Sequence, residues 1–231
     1  MKQKIFIACD TNKVKIAKKI IHETNKLKLR VGYKFGLEFF NSKNGRAFIS
    51  TIKNKDVWLD LKLYDIPNTV AAAIHSLSDL KNIRYLTVHI SGGIEMMKKA
   101  KKAASETNKN LKILGVTILT SFNEKNIKKT GHTKNIKNLV VQQVKLARSV
   151  DLDGIVCSGY EALDVKKIFK KEIMTPGIRL AGDSKQDQRR VMTPKNAFKN
   201  GATTVVIGRS ITRGNIKYNI QKLINSFKKI N

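Results

Sequence analysis

Asp60, Lys62 and Asp65 fall within six residues of one another in the stretch DLKLYDIPNTV (60–70). On a β-strand side chains alternate with period 2, so Asp60 and Lys62 share one face while Leu61 and Leu63 turn the other way, into packing. A carboxylate and an ammonium aimed together out of an apolar strand, followed at once by another carboxylate, are the parts of an acid–base site. An ammonium between carboxylates is favoured in its charged form. That arrangement suits proton donation and not Schiff-base attack, which needs a neutral amine. A purely structural account has Asp65 capping a helix that starts near Pro67, with Asp60 and Lys62 as a solvated pair at a strand end. Lys34 and Asp10, each at the end of another apolar run, weigh against it. Five charged groups converging on one place must be mutually paired or serve a ligand, because an unpaired buried charge is strongly destabilising.

A second set lies far along the chain, in TPGIR (175–179) and IGRS (207–210). Arg209 beside Gly208 offers a guanidinium for a phosphate dianion and a backbone N–H left accessible by the glycine. The polar stretch RLAGDSKQDQRRV (179–191) contains Gly182 and is expected to fold over a ligand. His22, His75, His89 and His132 show no zinc spacing. His22 and His75 fall within helical segments, and for His89 a core role is favoured over catalysis. The chain has no P-loop, GxGxxG, nucleophile elbow or CxxC, so a site without metal or cofactor is expected.

These residues must be positioned by a repeating unit. Short apolar runs at 4–10, 29–35, 57–63, 85–90, 112–119, 154–159, 172–178 and 203–209 alternate with segments of helical period. After the second run the segment is mixed to about 53, and after the third a helix is expected over 66–80, with Pro67 in its first turn. The runs are nearly continuous in aliphatic and β-branched residues, as in strands buried on both faces. Eight such units without a linker match a (β/α)₈ barrel. An open doubly wound sheet has the same periodicity, and the strand ends distinguish them. Asp10, Lys34, Asp60 with Lys62, His89, Thr120, Ser158, Arg179 and Arg209 stand at the C-terminal end of every run. A barrel gathers all eight ends at one mouth, whereas an open sheet gathers only those near its switch point. The fold expected is therefore α/β, a TIM barrel in which residues 1–231 form a single catalytic domain.

The balance of 46 Lys and Arg against 17 Asp and Glu gives a formal charge of +29. Nucleic-acid binding is one reading. However, the cations are spread over KIAKKI, MKKAKKA, VKKIFKK and NSFKKI instead of one stripe, and aromatics, at 6%, do not interleave with them. A solvated surface in a lysine-, asparagine- and isoleucine-rich chain is favoured, with a general preference for anionic ligands. No apolar run approaches the ~18 residues that span a bilayer. The N-terminus, MKQKIFIACDTNK, is read as the first strand of a mature cytosolic protein, and Cys9 and Cys157 as reduced, buried thiols.

DLKLYDIPNT closely resembles the signature D-x-K-x-x-D-I-P-x-T of the orotidine 5′-phosphate decarboxylases. The resemblance extends along the chain through ACD, YKFGLEFF, TVHISGG, ILTS, TPGIRLAGDSKQDQRRVMTP and VIGRS, and is most specific in the TPGIR…DQRRVMTP stretch, which looks bacterial. It implies a barrel acting as a homodimer and a cofactor-independent carboxy-lyase that forms uridine 5′-monophosphate. By motif match, Asp60, Lys62, Lys34 and Asp65 form an alternating charged network. Asp65, with Ile66 and Thr69, enters the neighbouring subunit's site. Asp10 and Lys34 hold the ribose, and Thr120 or Ser121 meets the pyrimidine. Arg179, Gln188, Gly208 and Arg209 form the phosphate side, with Gln188 bridging toward the base. The shorter D-x-K-x-x-D is shared with magnesium-dependent decarboxylases of sugar phosphates. Tyr64 and Tyr33 depart from the usual residues, and Tyr33 is expected to alter packing beneath Lys34. The implied partners are the nucleotide and a second copy of the chain, with no specific nucleic acid and no membrane, in the cytoplasm.

Overall fold

The structure, a computed structural model, describes residues 4–25, 27, 29–183 and 190–228. Within them eight parallel strands close into a barrel in chain order. They are β1 (Lys4–Ala8), β2 (Arg30–Gly36), β3 (Val57–Leu63), β4 (Ile83–His89), β5 (Lys112–Val116), β6 (Gly154–Val156), β7 (Glu172–Thr175) and β8 (Thr204–Ile207). Strand β1 pairs with both β2 and β8, which closes the ring and leaves no open sheet edge. The expected barrel is observed, and the open sheet is excluded.

The period of 2 sorts side chains into two layers. Ile5, Ile7, Val31, Tyr33, Phe35, Leu59 and Leu61 turn outward and pack under the helices. Phe6, Ala8, Trp58, Tyr85, Leu114, Val116, Val156, Met174 and Val206 fill the interior. Phe6 meets Trp58 and Tyr85 edge-on, with ring centroids 5.4 and 5.6 Å apart. Tyr33 does not pack beneath Lys34, as its sequence position had suggested. It lies in the outer layer, where its hydroxyl sits 2.9 Å from Thr24 Oγ1 and donates to Ile21 O.

The connecting helices are α1 (Val14–Thr24), α2 (Leu37–Phe40), α3 (Gly45–Ser50), α4 (Pro67–His75), α5 (Gly93–Thr107), α6 (Glu124–Lys129), α7 (Ile136–Ser149), α8 (Ala162–Ile168), α9 (Pro194–Lys199), α10 (Arg209–Thr212) and α11 (Ile216–Lys228). The mixed segment to 53 becomes two short helices, tied together by the rings of Phe35, Phe39 and Phe48. Helix α4 begins with Pro67 in its first turn. It stops at His75, short of the expected 80, where Arg46 Nη2 takes the Ser76 carbonyl at 2.6 Å and also pairs with Asp79.

The N-terminal end of the barrel is closed by a polar network. Lys4 Nζ donates to Tyr85 OH at 2.6 Å and pairs with Asp56 at 2.9 Å. Tyr85 OH donates to Glu172 Oε1 at 2.8 Å, and Lys112 reaches the same oxygen at 2.9 Å. Burial lowers the Lys4 pKa in spite of Asp56. Charge at this end is spent on holding strands together, which leaves ligand binding to the opposite mouth.

Gly32, in β2, makes room for the interior rings. A Cβ there would stand 2.5 Å from Phe6 Cε1 and 2.8 Å from the Asp56 carbonyl. Because backbone cannot yield as a flexible side chain does, Gly32→Ala is expected to cost about 1–3 kcal/mol. A thermal melt checks this, with roughly 2–4 °C lost per kcal/mol for a domain of this size. An unchanged Tm would mean that Phe6 and the β2–β3 contact relax freely.

Candidate active site

At the C-terminal mouth of the barrel lies a cavity of 420 Å³. Strand β3 supplies its centre. Asp60 is 9% exposed, and its Oδ2 accepts from two ammonium groups, Lys62 Nζ at 2.9 Å and Lys34 Nζ at 3.3 Å. Lys34 Nζ also reaches Asp10 Oδ1 at 3.2 Å. The result is a chain of alternating charge, Asp10–Lys34–Asp60–Lys62, drawn from three adjacent strands. At about 3 Å and an effective dielectric of ~20, each contact contributes roughly 5 kcal/mol before desolvation is subtracted. Removing one lysine leaves a buried carboxylate short of a partner, a change that typically costs ~3–5 kcal/mol. Burial opposes ionisation of Asp60, but Lys34 and then Lys62 outweigh it and hold the carboxyl below the usual range. Burial likewise opposes the Lys34 ammonium, and Asp60 and Asp10 overcome it, raising its pKa to about 12.

The backbone beneath this chain is not a regular strand. Lys62 has φ +50°, in the left-handed region, and the β3–β4 register shifts between Leu59 and Leu63. A non-glycine residue held there carries strain of about 1–3 kcal/mol. Thr87, fully buried in β4, secures the distortion: its Oγ1 accepts from Lys62 N at 2.9 Å and donates to Asp60 Oδ1 at 3.1 Å. One hydroxyl thus fixes the carboxylate and the backbone of the lysine together. The period-2 argument puts both side chains in the cavity, but the bulge sets their separation. Thr87 was not singled out from the sequence. Its signal was a polar residue inside the apolar run YLTVHI, two positions before His89 and on the same face.

Asp65 behaves differently. It is exposed, its carboxylate accepts from Ile66 N at 2.7 Å, and it is not among the cavity-lining residues. Ile66, and not Asp65, is the N-cap of α4, without a side-chain cap bond, so the capping role is corrected. Ile66 and Thr69 are exposed as well. Within one chain the mouth therefore gathers four of the five expected charged groups. His89 lies half-buried on the rim, its ring 5.7 Å from that of Tyr64. Burial, and then the Lys62 charge, lowers its pKa.

Thr120 and Ser121 line one side of the cavity with Ile118 and Leu119, on the loop after β5. Arg179, Gly208 and Arg209 line the other. Arg179 is buried and donates to the Ile178 carbonyl at 3.0 Å. Gly177, with φ +76°, makes the turn that brings the arginine in. A Cβ on Gly208 would meet Ala8 and Asp10 at 3.5 Å, an ordinary contact, so this glycine relieves no clash and keeps the cavity open. Gln188 lies outside the described residues, as do the other residues of 184–189 in the loop expected to fold over a ligand. Among the described residues, no group of three or more His, Cys, Asp or Glu side chains is arranged to hold a metal ion. A cavity lined by a row of alternating charge, two arginines, two hydroxyls and several apolar side chains suits a ligand that carries both an anionic group and a reacting, charge-changing centre.

A family model described as orotidine 5′-phosphate decarboxylase / HUMPS family matches residues 3–217. The orotidine 5′-phosphate decarboxylase of Erythrobacter litoralis (strain HTCC2594) is 42% identical over 217 residues, covering 92% of this chain and 93% of that protein. The protein of the same name from Fusobacterium nucleatum subsp. nucleatum is 40% identical, covering 92% and 90%. Among solved structures, the orotidine 5′-phosphate decarboxylase from Lactobacillus acidophilus superposes with a TM-score of 0.81 at 29% identity, over 97% of this chain and 99% of that one. The barrel, the alternating charges at its mouth and the likeness along nearly the whole length agree, and the chain belongs to the orotidine 5′-phosphate decarboxylase / HUMPS family.

Proposed function

We propose that this chain decarboxylates orotidine 5′-phosphate to uridine 5′-monophosphate, the last step of de novo pyrimidine nucleotide synthesis, without a cofactor, as one catalytic barrel domain. The observation that carries this reading is the ion-paired row Asp10–Lys34–Asp60–Lys62, which lines one cavity together with Arg179 and Arg209. Arg179 and Arg209 line the same cavity, and their guanidinium groups match a phosphate dianion. Asp10 and Lys34 hold the ribose hydroxyls, and Thr120 or Ser121 meets the pyrimidine.

Loss of CO₂ from C6 leaves a carbanion in an sp² orbital that the ring π-system delocalises poorly. Catalysis must then come from charge better matched in the transition state than in the substrate. The substrate carboxylate lies near Asp60, so negative charge is crowded there at the outset. As the C–C bond breaks, that charge collects on C6 beside the Lys62 ammonium, which stabilises it and then delivers the proton. Phosphate binding by the arginines anchors the ring over Lys62 from a distance, which helps the chemical step as well as affinity.

The functional unit is a homodimer in which Asp65, Ile66 and Thr69 enter the neighbouring site. The exposure of Tyr64 and Ile66, at 63% and 67%, beside an acidic residue with no task in its own cavity supports this. A cytosolic setting is supported by Cys9 and Cys157, both free and buried, and no helix among the described residues is long and apolar enough to cross a membrane.

Three outcomes test the reading. Turnover of orotidine 5′-phosphate, followed by absorbance, is expected to be unaffected by excess chelator; loss of activity in chelator would favour a magnesium-dependent sugar-phosphate chemistry on the same barrel. Lys62→Ala is expected to abolish turnover while the protein stays folded and binds uridine 5′-monophosphate, and retained turnover would remove Lys62 from the donor role. Lys62→Ala and Asp65→Ala subunits, each inactive alone, are expected to regain up to about a quarter of native activity when mixed, since a hybrid dimer has one intact site. No regain in a mixture whose subunits have exchanged would place Asp65 outside a shared site.

A further inference from the structure

The buried pair Arg190–Glu161 is not used by the chemistry above. Its side chains are 13% and 9% exposed. Glu161 follows β6, and Arg190 follows the loop after β7. The Arg190 guanidinium divides its donors: Nη1 goes to Glu161 Oε1, and Nη2 goes to the carbonyls of Ile118 and Leu119 at 3.3 and 3.2 Å. Those two residues line the cavity and immediately precede Thr120 and Ser121. A planar fork that takes one carboxylate and two consecutive carbonyls fixes the direction in which the chain leaves β5. In the turn that follows, Phe122 N donates to Leu119 O, so the carbonyl of Leu119 is shared between the loop and Arg190.

The base from which Arg190 reaches is anchored separately. Met192 N donates to Gly177 O at 3.1 Å, Arg179 N donates to Met192 O at 3.0 Å, and Tyr160 OH donates to Val191 O at 3.2 Å. Backbone bonds therefore hold the strand beside Arg179 whether or not the guanidinium is present. Burial raises the Glu161 pKa despite Arg190, which marks the acid as one that depends on this partner.

We infer that Arg190, held in place by Glu161, is a positioning residue that sets the wall carrying Thr120 and Ser121 against the pyrimidine, without acting on the phosphate side. This rests on the functional reading above, in which Thr120 or Ser121 meets the base. The effect should fall on recognition of the base and spare recognition of the sugar phosphate.

The test compares two competitive inhibitors of orotidine 5′-phosphate turnover, uridine 5′-monophosphate and ribose 5-phosphate. Arg190→Ala is expected to weaken inhibition by the nucleotide roughly 10- to 100-fold and to raise KM in step, as expected for a misplaced positioning wall, while inhibition by ribose 5-phosphate changes by less than about twofold. Arg209→Ala is expected to weaken both inhibitors. A merely structural role for Arg190 would reduce the active fraction, and so kcat, without this split. Arg190→Lys keeps a charge opposite Glu161 but loses the fork, and it carries the same comparison where the alanine variant does not fold. Glu161→Ala is expected to act in the same direction and to add little to Arg190→Ala in the double variant, because both break one unit. Equal losses for both inhibitors, no loss, or multiplicative effects of the two substitutions would overturn the inference. Absence of turnover by the unaltered enzyme would overturn the functional reading, and this inference with it.

Discussion

A carboxylate buried between two ammonium groups is the constraint around which the mouth of this barrel is organised. Lys34 and Lys62, which both reach the same oxygen, hold Asp60 ionised against the cost of burial. Three adjacent strands must therefore end at matching heights, and β3 must leave regular geometry so that Lys62 can approach. The barrel provides that matching: Ala8 pairs with Lys34 and Gly36 with Asp60, so successive strands are staggered and their polar ends ascend together around the rim.

The two ends of the barrel use the same chemistry to opposite effect. Around Lys4, Tyr85, Glu172 and Asp56 the charges and hydroxyls are spent on one another. At the mouth, Lys62 keeps a third of its side chain exposed and Asp10 more than half. The first arrangement stabilises strands, whereas the second leaves interactions to be completed by a ligand. The interior cluster of Phe6, Trp58 and Tyr85 lies between them.

Much of this was legible in the sequence, for identifiable reasons. Alternation of apolar runs with helical segments, and a polar residue at the end of every run, give the barrel and its mouth, because strand period and barrel closure leave few alternatives. Asp10, Lys34, Asp60 and Lys62 could be grouped because each terminates a strand. What was not legible depends on geometry without a period. The bulge at Lys62 is a change of register, and Thr87 matters because that bulge points a backbone N–H at it while its hydroxyl reaches Asp60. Arg190 and Glu161 are 29 residues apart and meet only once two loops are placed. Asp65 shows the other limit: read along the chain it belongs with its neighbours, but in a single folded copy it turns away from them.

The left-handed backbone at position 62 sets selection for durability against selection for chemistry. Glycine or asparagine would sit there with less strain than any lysine. A population screened for heat resistance alone should thus drift toward variants that keep the fold and lose the reaction, whereas one kept under metabolic demand must tolerate a permanently uncomfortable residue at its most consequential position.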